Sequence, residues 1–545
     1  MSKSAFEDRL PQDPQRRRLL HGLAMGGLAT GLLPGLAAAA PAGTAKAGDA
    51  PLARVRGGQI RGYRDNGIAV FKGIPYGADT GPRRFQPPRI ETPWSGVREA
   101  VAYGLASPQP KADEATSEDC LRLNVWTPGL RDGVRRPILF YIHGGAYNTG
   151  SGSSPLYDGV NLCRRGDVVV VTVNHRLNAF GYLYLAPFAG ADLADSGNVG
   201  QLDLIQALQW VRQHADEFGG DAGNVTVFGQ SGGGAKIATL MAMPAARGLF
   251  HRAWTMSGQQ VTAAGPRAAA QRAALVLDAL KLKPAQVDRL RSVPAAELVA
   301  AAQVRDPSRA EDTALYLGPV LDSRALPVHP FWPQAPLQSA AIPMVIGNTH
   351  DETRAFLGHD PKNFNLSWDE LPARLEKQQF VDLSPQVVID EYRRLYPHYS
   401  PSDVFFAATT AGRSWRGAVE ELEARARQGA PTWAYQLDWA SPLQPQLGAY
   451  HTLDIPLVFD NVARAEARTG DGEDARRMAT MMSESLLAFA RHGDPNHAGL
   501  AQWQRYDLER RQTLLFDTAP RLADDPRGGE RRLYGRVPFI QRGTF

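Results

Sequence analysis

One serine stands where serine-based acyl chemistry is expected. Ser231 lies in Gly229-Gln230-Ser231-Gly232-Gly233, a G-x-S-x-G run. The stretch Asn224-Val225-Thr226-Val227-Phe228 before it reads as a strand, and Ala235 to Met243 after it as a helix. A serine on a sharp strand-to-helix turn projects its Oγ above the sheet at the positive end of a helix, where developing negative charge is favoured. Gly229 and Gly233 would let strand and helix pass closely, while the serine itself sits in a strained conformation. Two plainer readings compete. A glycine-rich turn containing a serine is common. Gly229 and Gly234 also have the separation of a phosphate loop, but Lys236 comes one position late and Ile237 stands where a magnesium-binding Ser or Thr belongs, so that reading fails.

A second loop strengthens the first. His143-Gly144-Gly145-Ala146 directly follows the apolar run Ile138 to Ile142, well upstream of the serine. Acyl transfer through serine makes a tetrahedral oxyanion, which needs backbone N–H donors fixed in advance. Gly144 and Gly145, with Gly232 after the serine, are the candidate oxyanion-hole donors. The plainer reading of this loop is an ordinary strand-end turn. Its position ahead of the elbow argues for the other.

These loops need a scaffold to hold them. Apolar, β-branched runs recur at Ile138-Leu139-Phe140-Tyr141-Ile142, Val168 to Val173, Val225 to Phe228, Met344-Val345-Ile346 and Trp433-Ala434-Tyr435. Continuous rather than alternating apolarity predicts strands buried on both faces, as in a parallel sheet covered by helices. Leu204, Leu208, Val211, Ala215 and Phe218 fall on one helix face. The fold class is therefore α/β, with a central, mostly parallel sheet and helices on both faces. Pro266 to Arg309 and residues 364–428 read as mostly helical insertions that roof the sheet.

Composition sets outer limits. The chain has 545 residues, 43% apolar and 21% charged, enough for a large core. Its 60 basic and 56 acidic residues leave a formal charge of +4, so no electrostatic footprint for nucleic acid is present. At the N-terminus Gln15-Arg16-Arg17-Arg18-Leu19-Leu20 leads into a Gly- and Ala-rich apolar stretch to about Leu36, then the small-residue run Ala37 to Ala42. That order predicts an export signal of twin-arginine type over 1–42, and an exported, periplasmic or secreted protein. The apolar run is too short and Gly-interrupted to favour a stable membrane anchor. Residues 43–545 read as a single large domain. With only Cys120 and Cys163 in the chain, no disulfide framework supports it.

The motifs together resemble the type B carboxylesterase family, the cholinesterase-like group of the α/β-hydrolase fold, over nearly the whole mature chain. Its marks are Phe71-Lys72-Gly73-Ile74-Pro75-Tyr76, Glu118-Asp119-Cys120-Leu121, Asn174-His175-Arg176-Leu177, Phe218-Gly219-Gly220-Asp221, Ser257-Gly258, Asp351-Glu352 and Gly493-Asp494-Pro495-Asn496. The resemblance implies a triad in chain order serine, acid, histidine. Glu352 matches the family's glutamate, although Thr353 replaces the usual following glycine, with Asp351 as the fallback acid. His451, in Ala449-Tyr450-His451-Thr452-Leu453-Asp454, matches the family's histidine loop. His359, His398, His492 and His497 are read as structural or surface residues. In these roles Ser231 attacks the ester carbonyl, His451 moves the proton, and Glu352 orients the imidazole. No metal or organic cofactor is called for, as neither H-E-x-x-H nor C-x-x-C is present.

Departures from the family pattern narrow the reading. Cys120 has no upstream partner and Ser107 stands near the place of one, so Cys120 is expected as a buried thiol; pairing with Cys163 is the alternative. The short segment between Ser107 and Cys120 has no Trp, which argues against choline esters. Gln230 replaces the usual glutamate before the nucleophile, and Ala146 the third glycine of the oxyanion loop; both keep small or neutral groups at the site, and the small Gly-Gly-Ala loop would leave room for bulky alcohol groups. The function implied is carboxylic ester hydrolysis of small-molecule substrates through an acyl-enzyme. An amidase or lactonase using the same triad is the alternative, and a non-catalytic cholinesterase-like binding protein the third class. Physiological substrate and oligomeric state have no signal in the sequence.

Overall fold

The apolar runs build the middle of an 11-stranded sheet in the computed structural model. The structure describes residues 50–112, 114–307, 313–500 and 502–541. The expected export signal up to Ala42 lies outside them. In chain order the strands are β1 (Tyr63–Asp65), β2 (Ile68–Pro75), β3 (Arg122–Thr127), β4 (Arg136–Ile142), β5 (Val169–Val173), β6 (Gly220–Gln230), β7 (Arg252–Met256), β8 (Met344–Thr349), β9 (Thr432–Leu437), β10 (Gln512–Phe516) and β11 (Arg521–Asp524). Across the sheet they run β11-β10-β9-β8-β7-β6-β4-β5-β3-β2-β1. The pairs from β5 through β10 are parallel, and antiparallel strands finish both edges. A three-stranded sheet of Leu52–Val55, Gly58–Arg61 and Val97–Glu99 stands beside it.

Burial on both faces explains the unbroken apolar runs. Along β4, Ile138, Phe140 and Ile142 join one core cluster, while Leu139 and Tyr141 join the other. Val169, Val171 and Val173 of β5 join the first, and Val170 the second. Helix α1 (Val199–His214) covers the first face with Leu204, Ile205, Leu208 and Val211. Helix α2 (Gly232–Leu240) supplies Ile237 to the same cluster, and Glu473–His492 covers the second face with Met478, Met482, Leu486 and Phe489. Each such apolar side chain contributes about 1.5–3 kcal/mol by leaving water.

The apolar period through Phe218 outlasts the helix it belongs to. α1 stops at His214; a short 3-10 turn, Asp216–Phe218, follows, with Gly219 at φ 66 ending it. Ala215 and Phe218 are buried nonetheless. The helical insertions form Pro266–Ala279, Pro284–Arg291 and Ala295–Ala301, then Leu371–Glu376, Pro385–Leu395, Pro401–Thr410 and Arg416–Arg427. They have cores of their own, one around Val276 and Leu298 and one around Val388 and Phe405.

Both cysteines are free and buried. Burial pushes the Cys120 thiol up to about 12, with Ser107 beside it. Ser107 thus occupies the neighbourhood of a missing cysteine, and the alternative pairing with Cys163 does not form. No helix among the described residues is long and apolar enough to cross a membrane.

The parallel register aligns the carboxyl ends of the central strands. Ile142 sits opposite Gly229, and Gln230, Met256, Gly347 and Tyr435 form a row across β6 to β9. Loops leaving β4, β6, β8 and β9 therefore emerge at one edge of the sheet, where ligand sites of open α/β sheets lie.

Candidate active site

Ser231 caps α2 with φ 55 and ψ −125, a conformation that L residues rarely adopt. Its N–H donates to the Met256 carbonyl at 2.7 Å, tying the strained turn to β7. Glycine is required around it for close approach: a Cβ on Gly233 would stand 1.9 Å from the Ile142 carbonyl oxygen, and one on Gly232 2.1 Å from that of Ala146. Ser231 itself is half-buried.

The loop after β4 lies against this elbow. A Cβ on Gly144 would be 3.2 Å from Cβ of Ser231, so the two loops touch at that serine. Gly145 is exposed, with φ 87, and Ala146 follows with φ 52. Among the described residues, no protein group accepts from the N–H of Gly144, Gly145 or Gly232. His143 is buried beneath the loop with Nδ1 2.9 Å from the Gly144 carbonyl oxygen. Burial, with the nearby Lys236, pushes its imidazole down to about 3, so it is neutral.

Glu352 and His451 come from the neighbouring strand ends. Glu352 is fully buried, and its Oε1 accepts from the Thr349 N–H at 2.9 Å and from Asn348 Nδ2 at 3.3 Å. Its Oε2 contacts Nδ1 of His451. The other edge of the imidazole, Nε2, meets the side-chain amide of Gln230 at 3.0 Å. Ser231 Oγ makes no hydrogen bond to His451 among the described residues, a contact that such sites often complete only around substrate. Phe356, 44% exposed, packs on the imidazole with ring centroids 4.6 Å apart.

The departure at Thr353 has a structural reason. Its φ of −78 needs no glycine, and its hydroxyl bonds the Phe406 carbonyl oxygen at 3.0 Å and the Thr409 and Thr410 hydroxyls at 2.8 and 3.0 Å. The loop that carries Glu352 is thereby fastened to Pro401–Thr410. Asp351, the fallback acid, instead accepts from the Ala449 N–H at 3.0 Å and pairs with His350 and Arg354. His359 bonds the Phe356 carbonyl, and His497 lies by Met481 and Ser485.

Sequence reading missed several neighbours of the site. Asn348 links Glu352 to Ser414 Oγ at 2.8 Å. Asp454 is buried near Glu352, where burial and that carboxylate push it up to about 7, and Tyr435 donates to it at 3.0 Å. Lys236, read only as a misplaced phosphate-loop lysine, is wholly buried under the Gly144-Gly145-Ala146 loop. Its signal was available: a lysine within Gly233-Gly234-Ala235-Lys236-Ile237-Ala238, a segment otherwise without charge. Among the described residues no cluster of three or more His, Cys, Asp or Glu is arranged to hold a metal ion.

The strand-elbow-helix and the glycine loop, on a mostly parallel sheet, define an α/β-hydrolase. The chain matches the carboxylesterase family over residues 49–532 and belongs to that family; it is a carboxylic ester hydrolase. It is similar to the para-nitrobenzyl esterase of Bacillus subtilis (strain 168), 36% identical over 487 residues that cover 87% of this chain and 96% of that protein. The phenmedipham hydrolase of Pseudarthrobacter oxydans is 32% identical, covering 84% and 93%. Among solved structures, the Geobacillus stearothermophilus carboxylesterase EST55 superposes with a TM-score of 0.79 at 38% identity, covering 89% of this chain and 99% of that one.

Proposed function

We propose that ester hydrolysis runs through Ser231 as nucleophile, His451 as general base and acid, and Glu352 as the group that orients the imidazole. The observation that carries this reading is the contact of Glu352 Oε2 with Nδ1 of His451, made between residues 99 positions apart beside the serine elbow. Ser231 Oγ attacks the carbonyl carbon while His451 Nε2 takes its proton. The N–H groups of Gly144, Gly145 and Gly232 receive the oxyanion. Collapse expels the alcohol, protonated by His451, and leaves an acyl-serine. Water, deprotonated by His451, attacks the acyl-serine and releases the acid.

The similarity to a para-nitrobenzyl esterase makes aryl and benzyl esters of short acids the first substrates to offer. The exposed Gly145 and the small Ala146 favour bulky alcohol groups, and tert-butyl acetate tests that directly. Purified wild type and Ser231→Ala are compared on p-nitrophenyl acetate and butyrate. The variant should lose about 10⁴-fold or more in kcat; equal rates would overturn the assignment. An amide and lactone panel settles the breadth of the reaction.

The basic, apolar and small-residue order of residues 1–42 supports an exported protein with a mature domain from about residue 43. Retention of the protein in the cytoplasm after Arg16-Arg17-Arg18 is replaced by three lysines, with export intact in the wild type, is the expected result.

A further inference from the structure

Lys236 lies one turn into α2, directly beneath the loop that faces Ser231, and none of it is exposed. Its Nζ donates to the Ala146 carbonyl oxygen at 2.7 Å and to that of His143 at 3.3 Å, and sits 5.5 Å from the centre of the Tyr147 ring. Those two carbonyls flank Gly144 and Gly145. The Ala146 carbonyl is also the group that bars a side chain at Gly232. One side chain thus grips both ends of the Gly144-Gly145 segment beside Ser231, whose N–H groups have no protein acceptor among the described residues, at the point where it meets Gly232.

The surroundings make this cation unusual. Among the described residues no carboxylate forms an ion pair with it, and burial pushes it down to about 7, so at neutral pH amine and ammonium coexist and an anion nearby favours the ammonium. His143 and His175 lie near it, their rings meeting edge to face at 4.7 Å; burial and Lys236 push both imidazoles down, and His143 adds to this at His175. Tyr147 hydrogen-bonds Gln260 instead. Burying a charge without a counter-ion is costly. Gly145 and Ala146 are successive residues at positive φ, a shape that persists only when neighbouring contacts enforce it.

We propose that Lys236 is a positioning residue of the oxyanion hole: it clamps the His143 and Ala146 carbonyls, so aiming the Gly144 and Gly145 N–H groups, and sets a positive charge behind the oxyanion. This rests on the reading of Ser231 as nucleophile. The charge is compensated only when the tetrahedral oxyanion forms, so the interaction favours the transition state over bound ester. Lys236 touches no reacting atom and transfers no proton.

The test compares wild type, Ser231→Ala, Lys236→Met and Lys236→Gln on p-nitrophenyl butyrate, with rates referred to sites labelled by a fluorophosphonate. The Met variant keeps length and apolar fit; the Gln variant keeps a donor without charge and serves where Met does not fold. Removal of the lysine should lower kcat by about 10- to 100-fold with KM little changed. Affinity for a trifluoromethyl ketone, which forms a tetrahedral adduct, should fall by the same factor as kcat/KM. Unchanged kcat per labelled site in a folded variant, or a lower kcat with undiminished affinity for the ketone, overturns the proposal. Equal activity of wild type and Ser231→Ala instead overturns the nucleophile reading beneath it.

Discussion

The side-chain amide of Gln230 reaches Nε2 of His451 at 3.0 Å, on the edge of the imidazole opposite Glu352. An amide nitrogen only donates, so Nε2 accepts and the ring proton sits on Nδ1 toward Glu352. Gln230 therefore favours the tautomer with an unprotonated Nε2, without adding charge to the site, and in the proposed mechanism its hydrogen bond gives way to the Ser231 hydroxyl. Replacing it with a carboxylate adds a negative charge beside the ring and stabilises the imidazolium. Gln230→Glu should move the acid limb of the kcat/KM profile up by about one pH unit or more. Profiles on p-nitrophenyl acetate check this, and an unmoved limb contradicts it.

Glu421 predicts a pH dependence of stability. It is fully buried and accepts from the Gln260 N–H at 2.7 Å, and burial pushes its carboxyl from an ordinary 4.5 up to about 8. The folded state keeps the proton over a range where the unfolded chain has released it. The resulting stabilisation is complete below 4.5 and is lost as pH rises through about 8. Denaturant midpoints of the wild type should fall from about pH 5 to about pH 8, and those of Glu421→Gln should fall less. Parallel curves for the two proteins would falsify the assignment.

Thr353 should matter for its hydroxyl and not for its backbone. Thr353→Val keeps the shape but leaves the Phe406 carbonyl and two threonine hydroxyls without this partner. A loss of about 1–3 kcal/mol in unfolding free energy is expected, with Thr353→Ser retaining most of it. Equal stability of the Val variant and the wild type is the contrary result.

The thiols should be silent in the folded protein. Cys120 and Cys163 are buried, and burial raises both above the ordinary range. Thiolate is the reactive form. A disulfide reagent at neutral pH should therefore label neither residue in native protein and both after unfolding; rapid labelling of native protein is the opposing outcome.

The elbow and its glycine loop were legible because their requirements are local. A strained serine between a strand and a helix needs glycines at fixed offsets, and Gly229, Gly232 and Gly233 each have a missing Cβ that would strike backbone. The parallel sheet was legible in the same way, since strands covered on both faces are apolar at every position. The end of α1 was less so, because Ala215 and Phe218 keep the apolar period after the helix has stopped.

Motif resemblance in the sequence pointed to Glu352 and His451, but only the tertiary structure placed them in contact, 99 residues apart. The same holds for Gln230 against His451, for Thr353 against Pro401–Thr410, and for Lys236 beneath Ala146. Spacing along the chain encodes which face a side chain takes on its own element. Which distant group it meets there depends on sheet register and on how the roofing helices pack, and those emerge only when the whole core closes.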